Sequence, residues 1–113
     1  MPTYLGEKCP FATVCFHAQQ CVEKYIKALL VSLTIDFPRI HDIGELTQLL
    51  PQGHDIPLDK SQQERLTDYA VVSRYPGNWE PLTRTDAEEA VILARQVREN
   101  IRIFLPAEAI SGP

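Results

Sequence analysis

From residue 11 to residue 33, apolar side chains return at steps of three and four: Cys15, Ala18, Val22, Tyr25, Leu29, and Ser32 or Leu33. That is the period of one face of an α-helix, so the segment predicts a helix with one buried seam. A seam of this length cannot be satisfied by the helix itself; it requires partner helices or a sheet, and no stretch of the chain shows strand alternation of useful length. The opposite face carries His17, Gln20, Glu23, Lys24 and Lys27. Glu23 stands four residues before Lys27, the favourable order for a helical ion pair, which contributes only about 0.3 kcal/mol.

The partners follow along the chain. Asp36, Pro38 and Arg39 end the first pattern. Asp42, with Glu45 three positions on, makes a cap-like start for a short helix over 42–50 with Ile43, Leu46, Leu49 and Leu50 inward. Pro51, Gly53 and Pro57 mark a loop, and Asp59 caps a third helix over 59–72 with Leu66, Tyr69, Ala70 and Val71 or Val72 inward. The run Ser73-Arg74-Tyr75-Pro76-Gly77-Asn78-Trp79-Glu80-Pro81 cannot be continuous helix and reads as an aromatic, arginine-bearing loop. Thr85 and Glu88 form a capping box for a last helix whose apolar positions are Ala87, Ala90, Val91, Ala94, Val97, Ile101 and Leu105, closing at Pro106. The expected fold is all-α, an up-and-down bundle of about four helices, with a leader over 1–10, a helical domain over 11–106 and a flexible tail over 107–113.

At 113 residues the chain builds one domain. A formal net charge of −4 argues against a broad cationic surface for duplex DNA, while leaving room for a local basic pocket. Cys9, Cys15 and Cys21 are odd in number and lack CxxC or Cys/His spacing, so they support neither a disulfide framework nor a zinc site and read as small, partly buried apolar residues. No signal peptide or membrane-length apolar run is visible, and a cytoplasmic protein is expected. His54, in a loop flanked by proline and glycine, is expected to be solvated.

Two stretches are specific. Phe16-His17-Ala18-Gln19-Gln20-Cys21-Val22-Glu23-Lys24 and Ser73-Arg74-Tyr75-Pro76-Gly77 closely resemble, in order and spacing, the hallmark segments of HEPN-domain proteins, and His41-Asp42-Ile43 looks like a third. The resemblance covers about residues 11–106. It implies an up-and-down helical bundle, frequent dimerisation, and a role beside a minimal nucleotidyltransferase in prokaryotic two-gene modules or in nucleotide binding; some relatives are ribonucleases and toxins. The chain departs from the pattern at its start, where family members carry a full amphipathic helix. Here Pro2, Gly6 and Pro10 interrupt the residues that precede the first hallmark. A groove left by that helix would expose apolar side chains for another chain to cover, hence an expected homo-oligomer.

The resemblance makes His17, Gln20, Glu23, Lys24, His41, Arg74 and Tyr75 the ligand- or partner-binding candidates. Arg74 leads, because a planar guanidinium beside a Pro-Gly turn can hold a phosphate through two parallel hydrogen bonds; its bland alternative is an ion pair with Glu23 or Asp42. For His17 the alternative is a hydrogen bond to the adjoining loop, for His41 ordering the second helix start, for Tyr75 and Trp79 packing of the loop. Gln20, Glu23 and Lys24 have the alternative of a plain polar face. No catalytic residue, cofactor or metal is assigned. HEPN ribonucleases place a His four to six residues beyond an Arg, and no Arg and His here have that spacing. The leading expectation is an accessory subunit of a nucleotidyltransferase or toxin–antitoxin module, with an RNA-cleaving toxin and a ligand-free oligomerisation module as rivals.

Overall fold

In a computed structural model, which describes residues 10–72 and 82–105, the chain is an all-α bundle. Among the described residues there are four helices, α1 (Pro10–Ser32), α2 (Ile43–Gln48), α3 (Lys60–Val72) and α4 (Arg84–Arg102), and no strand. The leader, the Ser73 to Pro81 loop with Arg74, Tyr75 and Trp79, and the tail after Leu105 lie outside the described residues.

The central element is α1, which touches all three other helices; α4 packs along most of its length, α3 on a second side, and α2 bridges α1 and α3. Phe11 and Val14 share a recess with Arg84, Ala87 and Val91, while Cys21 feels the charge of Arg98 further along, so α1 and α4 run parallel. Arg65 pairs with Glu89, and Tyr69 lies near Cys15 and Asp86, which sets α3 antiparallel to both.

Serving several neighbours, α1 buries more than one stripe: Cys15, Ala18, Val22, Ile26, Leu29 and Leu30 are all core residues. The seam read from the sequence therefore needs correction at one turn, where Ile26 is fully buried and Tyr25 only half-buried. On α4 the core holds Ala87, Ala90, Leu93, Ala94, Val97 and Ile101, with Leu93 in place of the expected Val91, which is 36% exposed. On α2 only Ile43 and Leu46 are buried; Leu49 is the C-terminal cap and is exposed. Leu66, Tyr69 and Ala70 of α3 are buried as expected.

The caps are local chemistry. Asp42 accepts the Glu45 N–H at 2.9 Å. Asp59 accepts the Gln62 N–H at 2.7 Å while the Gln62 side chain accepts the Asp59 N–H at 2.9 Å, a reciprocal box. The box of α4 is Thr83 with Asp86, not Thr85 with Glu88. Both pairs have the right spacing, but only the first puts an apolar residue, Leu82, just before the cap and packed on the core, with buried Ala87 at the fourth helical position, the staple arrangement.

The end of α1 is unusual. The Ile35 N–H reaches the Leu30 carbonyl at 2.9 Å and the Thr34 N–H the Val31 carbonyl at 3.0 Å, the paired bonds of a Schellman turn. The turn needs a left-handed residue, and Thr34 takes it at φ 60°. Gly53 has φ 96° in a turn closed by His54 N–H to Pro51 carbonyl, 3.1 Å.

Candidate functional site

The polar face of α1 is not a uniformly solvated surface. Gln19 and Glu23, one turn apart, are 0% and 2% exposed. A buried carboxylate is costly unless its oxygens are occupied by donors, and here each is. Oε1 accepts from Gln19 Nε2 at 2.9 Å; Oε2 accepts from Lys27 Nζ at 2.8 Å and from His41 Nδ1 at 2.9 Å. Gln20 Nε2 in turn donates to Gln19 Oε1 at 2.8 Å. Lys27 also stands 5.7 Å from the centre of the Phe37 ring, tying the connector after α1 to the same cluster.

Two opposing effects act on Glu23. Burial pushes its pKa up, but the hydrogen bonds from Lys27, His41 and Gln19 and the Lys27 charge together outweigh it and leave the carboxyl below its ordinary value. The group is held as a carboxylate. A carboxylate only accepts, so His41 must present an N–H at Nδ1, and in its neutral form this leaves the Nε2 lone pair on the other edge of the ring. The His41 side chain is 57% exposed although its partner is buried. An imidazole fixed from behind by a carboxylate and open on its other side can accept or donate a proton, or hydrogen-bond a phosphate oxygen.

Of the sequence candidates, Gln20, Glu23 and His41 are joined in one network, with His41 next in sequence to the Asp42 cap of α2. His17 and Lys24 are exposed and take no part in it; His17 stands edge-on to Phe16, ring centres 5.8 Å apart. Arg74 and Tyr75 lie outside the described residues. Gln19 and Lys27 belong to the network and were not candidates. Their only signal in the sequence is position, one helical turn to either side of Glu23. The solvated reading of His54 is also corrected, since its ring is half-buried, 4.8 Å from that of Phe104, and its Nδ1 is buried without a hydrogen-bond partner. Cys15 is buried and Cys21 half-buried. Among the described residues no group of His, Cys, Asp and Glu could hold a metal ion, and no helix is long and apolar enough to cross a membrane.

A second feature lies at the start of the parallel helix pair. Phe11, Val14, Ala87, Val91 and Ile92 line an open, mainly apolar recess of about 460 Å³, with the Arg84 guanidinium 5.6 Å from the centre of the Phe11 ring. Val14, Val91 and Ile92 are 37%, 36% and 52% exposed.

Comparison with known proteins gives two matches. The family model described as HEPN domain covers residues 4–104. A Methanocaldococcus jannaschii protein named "Putative toxin MJ1304" is 32% identical over 108 residues, spanning 80% of this chain and 69% of its own. No solved structure matches the chain.

Proposed function

The chain belongs to the HEPN domain family, and from that premise we propose that it is the HEPN subunit of a prokaryotic, cytoplasmic toxin–antitoxin-type module, working against a minimal nucleotidyltransferase partner. The observation that carries this reading is the Glu23 to His41 bond. It joins two of the three stretches on which the resemblance rests, eighteen residues apart, into one polar cluster, with Gln20 reaching it through Gln19. In this reading His41 and Gln20, with Arg74 and Tyr75 from the Ser73-Arg74-Tyr75-Pro76-Gly77 stretch, face a nucleotide phosphate shared with the partner. Arg74 supplies a two-pronged anion contact and His41 a donor or acceptor whose direction Glu23 fixes. The apolar recess at Val14, Val91 and Ile92 supports self-association, because a mainly apolar opening is commonly covered by another chain.

An affinity capture from native lysate with proteins identified by mass spectrometry tests the partnership, comparing wild type with Arg74→Ala and His41→Ala after circular dichroism has confirmed that each is folded. Recovery of a nucleotidyltransferase by wild type and its loss with either variant is the expected result. Recovery of none, with no calorimetric binding of nucleotide, overturns it.

The carboxylate-backed imidazole favours one second reading, cleavage of RNA. There His41, and not His17, is the proton-transfer group, and Glu23 orients it as a positioning residue. The pure protein would then cut labelled RNA in the presence of a chelator. His41→Ala would abolish cutting and Glu23→Gln would shift its pH profile. Intact RNA at every pH discards this reading.

A further inference from the structure

The cations of this acidic chain are unevenly employed. Lys27 is held by Glu23, Arg65 by Glu89, and Arg84 lies over Phe11. Among the described residues Lys24, Arg39 and Lys60 make no ion pair and stand apart along the chain, whereas Arg95, Arg98 and Arg102 stand together at i, i+3 and i+7 on one face of α4, where with Glu99 they border a recess of about 360 Å³. Arg95 and Arg98 are exposed and Arg102 is half-buried. Among the described residues none of the three makes an ion pair, although Glu99 sits four residues after Arg95 and three before Arg102, the two spacings at which helical pairs form. Three guanidinium groups thus meet a single carboxylate, on a chain of net charge −4.

We infer that this face of α4 binds closely spaced phosphate groups. The arginines span seven residues, about 10 Å of helix rise, enough for more than one phosphate, and each guanidinium can present two parallel donors to an oxyanion. A lone carboxylate partner would pair with one guanidinium and leave the others unmatched; a run of phosphates matches all three. Phosphodiester groups of single-stranded RNA and the triphosphate of a nucleotide share this chemistry. Glu99 lowers affinity from within the site, because its charge repels the same oxygens. The competing explanation is that arginines near a helix C-terminus only offset the negative end of the helix dipole. That account gives the arginines a role in stability and none in binding. The site shares no residue with the Glu23–His41 network, so it stands whether or not the proposed partnership does.

Fluorescence anisotropy with a short labelled single-stranded RNA, with tripolyphosphate and ATP as competitors, tests the site on the full chain. Wild type should bind, with a log–log salt slope near about −2 for three neutralised phosphates. Tripolyphosphate should compete. The combined Arg95→Gln, Arg98→Gln and Arg102→Gln variant should bind at least tenfold more weakly at unchanged helicity, and Glu99→Gln should bind a few-fold more tightly. Weak RNA binding with strong ATP competition would support the site and identify its source as a nucleotide. Binding of neither RNA nor ATP overturns the inference, as does a triple variant that keeps wild-type affinity while melting at lower temperature. Should the triple variant fail to fold, Glu99→Gln decides, since unchanged affinity there also overturns it.

Discussion

Glu23 shows how far a single side chain can depart from the role its spacing suggests. Followed four residues on by Lys27, it has the pattern of a surface ion pair, and nothing in one sequence says that the Gln19–Glu23 edge of α1 turns inward. Burial changes the magnitude. Removing a buried, fully bonded carboxylate leaves the mostly buried Lys27 ammonium without its partner, so Glu23→Ala should cost about 3 kcal/mol by urea denaturation, against the few tenths of a surface pair. Glu23→Gln keeps an acceptor and should cost about 2 kcal/mol. The pH dependence follows from the lowered pKa. A carboxyl whose folded value lies below its unfolded value adds stability that is fully present above the unfolded value and is lost as pH falls through the folded one. The melting temperature of wild type should therefore drop more steeply than that of Glu23→Gln on acidification from the ordinary carboxylate range downward. Gln20, Glu23 and His41 were legible as candidates, but their convergence was not, because a bond between residues 23 and 41 depends on how the connector returns the chain.

The helices were the most legible level, since period and caps are local properties. All four were expected, and Asp42 and Asp59 cap as the sequence suggests. The errors fall where two local signals compete: Thr83 with Asp86 displaced Thr85 with Glu88 because the packed Leu82 favours the earlier start. Thr83→Ala should accordingly destabilise by about 1 kcal/mol, and Thr85→Ala by far less, a contrast that paired thermal melts resolve. The end of α1 offers the opposite change. A β-branched residue at φ 60° pays for Cβ crowding of about 1 kcal/mol, which glycine removes at the expense of a more flexible unfolded chain. Thr34→Gly should raise the melting temperature slightly. A fall would mean that the Thr34 side chain makes a contribution larger than the strain.

At the scale of the molecule, bundle class was readable and the division of labour within it was not. A seam read as one stripe gives α1 one neighbour, yet α1 has three, and its buried set widens accordingly. The recess beside Phe11 is likewise a property of the assembled pair of helices. If a second copy covers it, Val91→Glu with Ile92→Glu should yield a monomer by light scattering with little loss of stability, because both side chains are already exposed in one chain. A wild-type monomer at tens of micromolar would overturn the dimer. The parallel pairing of α1 with α4 also has a consequence for synthesis. Ribosomes emit roughly 5–20 residues per second, so the first helix emerges seconds before the last. Until α4 leaves the exit tunnel, the face of α1 that it will cover stays open to chaperones or to a neighbouring nascent chain, and folding cannot finish domain-first from the amino end.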